Sequence, residues 1–540
     1  MTIIMKEFFW ADQIAKQITE RAEREQCIPN IKCQQTPSGA KHIGNLNDVV
    51  RAYFPSKALH ERGVRHTFVH TTDDRDPLKA VPLKLPDLEG KWHKSADLQD
   101  MNKYLGMPLC RIPDPFGCCI SWAEHFTKVW MDGVYSLGMK PDLYSVNDLY
   151  EKGKLAKYVR MVFEKIEDAG KIAARYQQTK DADYIPFDAI CQNCGRLTPI
   201  DSFDIDSMTV HYTCGGKAIK KNKTEGCGNS GEAPMTEGKL QWRFEWPALM
   251  ALFNTTYEPF GKDHAEGSWK SAVDVMKTIF EKEPPIPYVY EFFLVDGQKM
   301  SASVGNVFIV QDMMEIMEPE VFLFFYTKRP NRQRNLELKN LHLIVDDFEH
   351  AERIFFDIDK EKNETDRNNL IRSYKMCMNE IPEKPPVRIP YQFAALIGQV
   401  HGDSGLNNAL ELLKFTGHVE KINDIERERV RKRLMLASNW ARRYASPEAR
   451  IILNEKLPDL GLRDNEINAL RSLSKELSKE QDEKELQSRI FDIAREHNVE
   501  AKKFFQVVYQ ILISRDSGPR LGPFIIAVGK ERVRKMLEKA

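Results

Sequence analysis

The chain has 540 residues, enough for roughly three domains with sizeable cores. Its 79 Lys and Arg balance 79 Asp and Glu, so no global field draws in nucleic acid and any such contact rests on local patches. No apolar run reaches the length of a bilayer, and the start M-T-I-I-M-K-E-F-F-W-A-D-Q lacks a basic region followed by an uninterrupted apolar core. These features predict a cytoplasmic protein whose ten cysteines serve metal or packing rather than disulfides.

Residues 10 to 25 place Trp10, Ile14, Ile18 and Ala22 at helical spacing, which predicts a surface helix leading to a strand from about Ile31 to Gln35. The stretch Thr36 to Asn45, T-P-S-G-A-K-H-I-G-N, turns the chain through Pro-Ser-Gly and brings His42 and Gly44 to the first turn of a second helix. Free N–H groups and the positive dipole end make a helix N-terminus an anion site. Gly39 permits a tight turn, Gly44 lets a flat ligand approach the backbone, and His42 can donate to a phosphate oxygen. Ile43, Leu46, Val50 and Tyr53 mark one face of that helix, which Pro55 is expected to kink or break. Val64 to His70 reads as a strand, and T-T-D-D-R-D follows it. Asp73 and Asp74 therefore sit at a strand's carboxyl end, where open α/β sheets place ligands; they either face a cationic substrate or cap a turn.

Two cysteine groups follow. In D-P-F-G-C-C-I-S-W-A-E-H, Asp114, Cys118, Cys119 and His125 offer a carboxylate, two thiols and an imidazole within twelve residues, a mixture that tetrahedral zinc accepts, although adjacent cysteines also serve as buried packing. Cys191, Cys194, Cys214 and Cys227 have the pattern C-x2-C-x19-C-x12-C in a Gly- and Lys-rich segment, which reads as a structural zinc ribbon with all four coordination positions closed. The long gap between Cys214 and Cys227 makes the fourth ligand the weakest of the set.

From Lys239 the chain reads K-L-Q-W-R-F-E-W-P, then Y-E-P-F-G-K-D-H, then a helix marked by Trp269, Val273, Met276 and Phe280. Tyr288 to Val295, Y-V-Y-E-F-F-L-V, has the continuous apolar character of a strand buried on both faces. Glu291 inside it must be salt-bridged or serve as a ligand for a cation. D-G-Q-K-M-S-A-S-V-G-N follows as a loop, with a helix expected from about Asp312. Beyond Tyr326 strand signals stop. Helical spacing dominates, as in Leu406, Leu410 and Leu413 or Phe504, Phe505, Val508 and Ile511, with 357 to 369 as a polar loop. R-E-R-V-R-K-R at 427 to 433 reads as a solvated basic helix face.

T-P-S-G-x-x-H-I-G-N together with K-M-S-A-S resembles the two signature motifs of class I aminoacyl-tRNA synthetases. D-P-F-G-C, W-A-E-H-F, W-R-F-E-W-P, G-K-D-H and G-P-R-L-G-P-F-I-I-A-V-G-K-E-R-V extend the resemblance over nearly the whole chain, toward the class I lysyl-tRNA synthetases. The resemblance implies an α/β fold, a split Rossmann catalytic domain with zinc-bearing insertions, followed by an all-α anticodon-binding region. The boundaries it suggests are 1–84 and 239–326 for the two catalytic halves. Residues 85–185 and 186–238 form the insertions, and 327–540 the helical end.

The implied reaction is attack by the lysine carboxylate on the ATP α-phosphate, giving lysyl-adenylate, then transfer to tRNA(Lys); positioning and charge stabilisation carry such chemistry. By similarity His42, Gly44 and Asn45 hold the nucleotide, while Lys299, Ser301 and Ser303 close over its phosphates. Thr36, Trp242, Asp263, His264, Tyr290 and Glu291 resemble the amino-acid pocket, because lysine needs an aromatic wall for its stem and an anionic end for its ε-ammonium. The implied cofactors are Mg2+ with ATP and two Zn2+, held by the Asp114, Cys118, Cys119, His125 set and the four-cysteine set. No DNA or membrane partner is expected. Two departures stand out: the first signature ends in Asn45 rather than histidine, and Ala302 occupies the place of the usual second lysine. A class I synthetase for glutamate or arginine, a non-catalytic tRNA-binding paralogue and a nucleotidyltransferase acting on a small metabolite are the competing readings.

Overall fold

The computed structural model describes residues 9–219, 222–300, 307–328, 330–402, 405–454, 458 and 460–539. The chain forms two compact units: Met1–Asp312 with Leu323–Leu336 and Glu364–Asn379, and Met313–Phe322 with Glu337–Asn363 and Glu380–Ala540.

The first unit is built on a five-stranded, all-parallel sheet. Helix α1 (Trp10–Glu25) precedes strand β1 (Asn30–Gln35), and helix α2 (Leu46–Glu61) crosses over to β2 (Thr67–Thr72). Helix α3 (Trp122–Ser136) leads to β3 (Asp142–Ser145); helix α4 (Trp242–Leu252) leads to β4 (Thr255–Gly261), and β5 (Ile286–Tyr290) closes the sheet. The strand order β5-β4-β1-β2-β3 reverses direction between β1 and β4. Parallel sheets of this order bind ligands in the crevice beyond the strand carboxyl ends at that reversal. Thus Gln35 at the end of β1 and Gly261 at the end of β4 mark where a site belongs. Strand β3 lies inside the span expected to be an insertion, so the segment after residue 85 contributes an edge strand to the sheet.

Several sequence expectations change. Tyr288 to Val295 is not one buried strand: β5 ends at Tyr290, alternates in burial with Val289 40% exposed, and Phe293–Val295 pairs separately with Arg334–Leu336. The aromatic run hid a period-two edge strand, and the second strand's partner lies beyond Tyr326, where no strand was expected. Residues 364 to 369 belong to the helix Glu364–Cys377 rather than to a loop. The second strand is Thr67–Thr72 rather than Val64 to His70.

Helix α2 runs unbroken through Pro55. An interior proline supplies no N–H to the carbonyl four residues back, here that of Arg51. The buried Tyr257 hydroxyl on β4 donates to that carbonyl at 3.0 Å, so the sheet satisfies the acceptor that the helix cannot. The Arg51 guanidinium in turn donates to the Tyr326 carbonyl at 2.6 Å and lies over the Trp10 ring.

The regular elements among the second unit's described residues are all helices. Helices Tyr391–His401 and Asp424–Arg443 pack closely because Gly398 presents no Cβ, which would lie 2.3 Å from the Leu434 carbonyl oxygen. The basic run 427 to 433 is not wholly a solvated face. Arg433 is buried, pairs with Glu318 and Glu349, and donates to the Ile389 carbonyl. Its second half follows as helices Asp464–Glu476, Glu483–Glu496, Ala501–Ile513, Leu521–Val528 and Lys530–Leu537. No helix among the described residues is long and apolar enough to cross a membrane.

Candidate functional site

A cavity of about 550 Å³ opens at the sheet reversal, bounded by Gln34, Gln35 and Thr36 after β1 and by Pro259 and Phe260 on β4. The turn from Thr36 to Asn45 forms one side. His42, Gly44 and Asn45 lie in a turn before α2, which begins only at Leu46, rather than in its first helical turn. Asn45 closes this turn on itself: its side-chain oxygen accepts the His42 N–H at 3.2 Å, and its own N–H donates to the His42 carbonyl at 2.8 Å.

Two glycines make the turn possible. Gly39 has φ +142°, and a Cβ there would meet Pro82 at 2.9 Å. At Gly44 a Cβ would lie 2.8 Å from the His42 ring and 3.3 Å from Met300. The half-buried His42 ring has a buried Nδ1 with no hydrogen-bond partner. Its pKa falls to about 4 through burial and then the positive charges of Lys41 and Lys299, so the ring is neutral at pH 7. Distant segments fix the turn from below: Ile43 N–H donates to the Phe308 carbonyl, and the Tyr326 hydroxyl to the Ile43 carbonyl.

The cavity wall is acidic. Asp48, Asp73, Asp76, Asp188 and Glu258 line it against Lys41, Lys79 and Lys239. Two of these carboxylates, Glu258 and Asp76, are ion-paired, and a third, Asp188, is held by an amide. Glu258 pairs with the wholly buried Lys32 at 2.8 Å and accepts the Trp246 indole N–H; Asp76 pairs with Lys239, which also meets Glu245 at 2.7 Å; Asp188 accepts from Gln241. Burial disfavours the charge on Lys239, but Asp76 and Glu245 outweigh it and raise its pKa.

Asp48 and Asp73 have no ion-pair partner among the described residues. Asp48 accepts the Tyr290 hydroxyl at 2.5 Å, and burial pushes its pKa up to about 7 against that bond. Asp73 accepts the Thr36 hydroxyl at 3.3 Å, leaves its Oδ1 buried and unpartnered, and is raised well above the usual range by burial and then by Asp76 and Glu245. The sequence left Asp73 and Asp74 undecided between two roles, and their surroundings differ. Asp73 lines the cavity, whereas Asp74 accepts from Ser145 and the Asn147 N–H at the end of β3.

Of the expected pocket residues, Thr36, Trp242 and His264 line the cavity, with Trp242 stacked on Trp246 at 5.3 Å and 5.5 Å from the His264 ring. Tyr290 reaches it through Asp48. Asp263 and Glu291 do not: Asp263 is exposed with Lys299 at 4.0 Å, and Glu291 pairs with Lys262 at 3.0 Å. Lys299 also sits over the Phe292 ring. Ser301 and Ser303 lie outside the described residues.

Lys41, Asp48, Asp76, Lys239 and Glu258 were missed. Asp48 had a signal, since it falls three residues after Asn45 and hence on the same helix face. Lys41 stood inside the quoted motif without a role, and Glu258 just before G-K-D-H. The pairings of Lys32 and Lys239 carry no local mark.

Both cysteine groups converge. Sγ atoms of Cys191 and Cys227 are 3.6 Å apart, and those of Cys194 and Cys214 3.7 Å, with all four within 4.8 Å of one another. Thiolates bound to one tetrahedral zinc at about 2.3 Å stand about 3.8 Å apart, whereas disulfide sulfurs stand about 2.05 Å apart. The spacing therefore fits a shared metal rather than a disulfide, and Cys227, the least secure ligand in the sequence, belongs to the set. Asp114, Cys118, Cys119 and His125 form the second group, with Cys118 Sγ 3.3 Å from His125 Nδ1 and 3.9 Å from Cys119 Sγ. His125 Nε2 faces the Pro86 carbonyl at 3.0 Å, which fixes the ring with Nδ1 turned toward the group, as metal-binding histidines require.

The four-cysteine module borders the cavity. Cys191 and Cys194 connect strands Phe187–Ile190 and Leu197–Pro199, which bring Asp188 and Leu197 to its wall, and Lys239 pairs in register with Asp188. Trp122, between Cys119 and His125 of the second group, donates its indole N–H to the Pro37 carbonyl of the signature turn at 3.1 Å.

A family model described as tRNA synthetases class I (K) matches residues 8–379. Among curated proteins, the lysine–tRNA ligase of Halobacterium salinarum is 36% identical over 536 residues, covering 98% of this chain and 97% of that protein. The same name is carried by a protein of Natronomonas pharaonis, 36% identical over 538 residues with coverages of 98% and 97%. A Thermococcus kodakarensis protein, also named lysine–tRNA ligase, is 32% identical over 546 residues with coverages of 98% and 99%. With relatives of this identity end to end, and a signature turn closed over a parallel-sheet crevice, the chain belongs to the class I tRNA synthetases of the group described as (K).

Proposed function

We propose that the chain attaches L-lysine to tRNA(Lys), using ATP with Mg2+ and passing through lysyl-adenylate. The observation that carries this reading is the charge of the cavity: five carboxylates against three lysines, with Asp48 and Asp73 left without a cation. Free lysine brings two ammonium groups to one carboxylate, so Asp48 and Asp73 each take one ammonium, and Trp242 covers the aliphatic stem. Glutamate, with two carboxylates, would meet an excess of like charge.

His42, Gly44 and Asn45 hold the nucleotide. The neutral His42 ring offers a proton at its nitrogen to a phosphate oxygen, and the bare Gly44 Cα allows close approach. Lys299, with Ser301 and Ser303 close by in sequence, supplies charge and hydroxyls to the phosphates, and Asp263 beside Lys299 orients it. Thr36 holds Asp73, Tyr290 holds Asp48, and His264 closes the aromatic wall. Glu291 is engaged by Lys262 and is left out of the pocket. The two metal groups each take a structural zinc, the helical region binds the anticodon, and the protein works in the cytoplasm.

The test is pyrophosphate exchange measured separately with lysine, glutamate and arginine, with charging of tRNA(Lys) alongside. Exchange with lysine alone is expected; exchange with glutamate or arginine but not lysine overturns the proposal.

A further inference from the structure

Lys41 sits between the Pro-Ser-Gly turn and His42 and lines the cavity. The other lysines around the cavity are engaged: Lys32 by Glu258, Lys239 by Asp76 and Glu245, Lys79 by Asp76. Lys41 has no carboxylate within ion-pair distance among the described residues, and its ammonium donates to the Ser38 hydroxyl at 3.5 Å. Burial lowers its pKa to about 8 against the longer-range pull of Asp73, Asp48 and Asp76, and its charge also bears on the adjacent His42 ring, as does that of Lys299. Lys41 thus stands where the acidic part of the cavity meets the turn that carries His42.

The reaction poses a problem that a cation at this junction solves. With Asp48 and Asp73 taken by the substrate's two ammonium groups, its α-carboxylate still needs a partner, and that carboxylate must approach the anionic α-phosphate. Two anions closing on one another in a site of low dielectric repel strongly unless a positive charge lies between or beside them. We propose that Lys41 is a catalytic residue whose ammonium binds the α-carboxylate of the amino acid and screens it as it meets the α-phosphate of ATP. This rests on the lysine-activating reading above. In the step, a carboxylate oxygen forms a bond to the α-phosphorus while the bond from that phosphorus to the oxygen bridging the β-phosphorus breaks. The electron pair of the broken bond leaves with pyrophosphate, and no proton moves. Lys41 stays an ammonium throughout, and neither accepts nor gives a proton.

The experiment compares the full-length protein with Lys41→Met and Lys41→Arg. Single-turnover adenylate formation is measured alongside calorimetric binding of lysine and of lysinamide, which keeps both ammonium groups and lacks the carboxylate. Lys41→Met is expected to slow adenylate formation about 100-fold or more, the usual size for one lost charge-stabilising donor, and Lys41→Arg to recover to within about tenfold of the parent. Lysinamide binding should be unchanged in Lys41→Met, while the preference for lysine over lysinamide falls about tenfold. A rate within about threefold of the parent, or a preserved lysine preference, overturns the proposal. Loss of lysinamide binding as well would assign Lys41 to the architecture of the cavity and overturn it equally. Failure of the unmodified protein to activate lysine is a separate result that removes the functional reading itself.

Discussion

The hydroxyl of Tyr257 is the donor that the Arg51 carbonyl lacks because residue 55 is proline. Tyr257→Phe keeps the ring and removes that donor, stranding a buried carbonyl, so the expected cost is about 1–3 kcal/mol. Pro55→Ala restores a backbone N–H for the same carbonyl, after which the hydroxyl is redundant and the expected cost of Tyr257→Phe drops below about 0.5 kcal/mol. The double-mutant cycle should therefore show a coupling of about 1–2 kcal/mol. Equilibrium urea denaturation of the four proteins, followed by near-ultraviolet circular dichroism, measures it. If the two substitutions add to within about 0.3 kcal/mol, the hydroxyl does not replace the missing N–H and the account of the unbroken helix is refuted.

Asp48 predicts a pH dependence. Burial raises its pKa to about 7 in the free protein, with Tyr290, Lys41 and Lys32 opposing and Glu258 reinforcing the shift. Its folded pKa lies above its ordinary value, so its contribution to stability is present below that ordinary value and lost as pH rises through 7. Substrate binding has the opposite sign, because an ammonium prefers the ionised form. Lysine affinity should rise up to about tenfold per unit as pH climbs toward 7 and level off above it, and Asp48→Asn should flatten that profile while weakening binding by roughly 30-fold or more. A pH-independent affinity in the unmodified protein would remove Asp48 from the pocket.

Cys191→Ser should lower zinc, measured by plasma mass spectrometry, from about two to about one per chain. It should also raise the KM for lysine more than that for ATP, because Cys191 anchors the strands carrying Asp188 and Leu197. A metal content unchanged by the substitution would show that this set binds none.

What could be read from the sequence was what repeats or stands close together. The helix over Trp10–Glu25, the signature turn and the metal spacings are local patterns, and each was visible. Pro55 was misjudged because its remedy, Tyr257, lies about 200 residues away in the chain on another element. Glu291 was read as salt-bridged or as a cation ligand, and the resemblance put it in the pocket; it stands just past the end of the edge strand, where Lys262 pairs with it. Lys32 and Glu258 went unremarked because a buried ion pair between adjacent strands leaves no signal until the strand order is known.

The closure of the signature turn by Phe308 and Tyr326 has a consequence for biosynthesis. Thr36 to Asn45 leaves the ribosome well before its hydrogen-bonding partners, which are made some 280 residues later. At about 5–20 residues per second, the turn waits on the order of tens of seconds for them. High contact order of this kind slows folding, and a nascent chain ending before Tyr326 lacks the floor of its own site. On the proposed reading of the turn as the nucleotide holder, such a fragment is expected to lack ATP binding, and an incomplete product is not expected to be a partly active one.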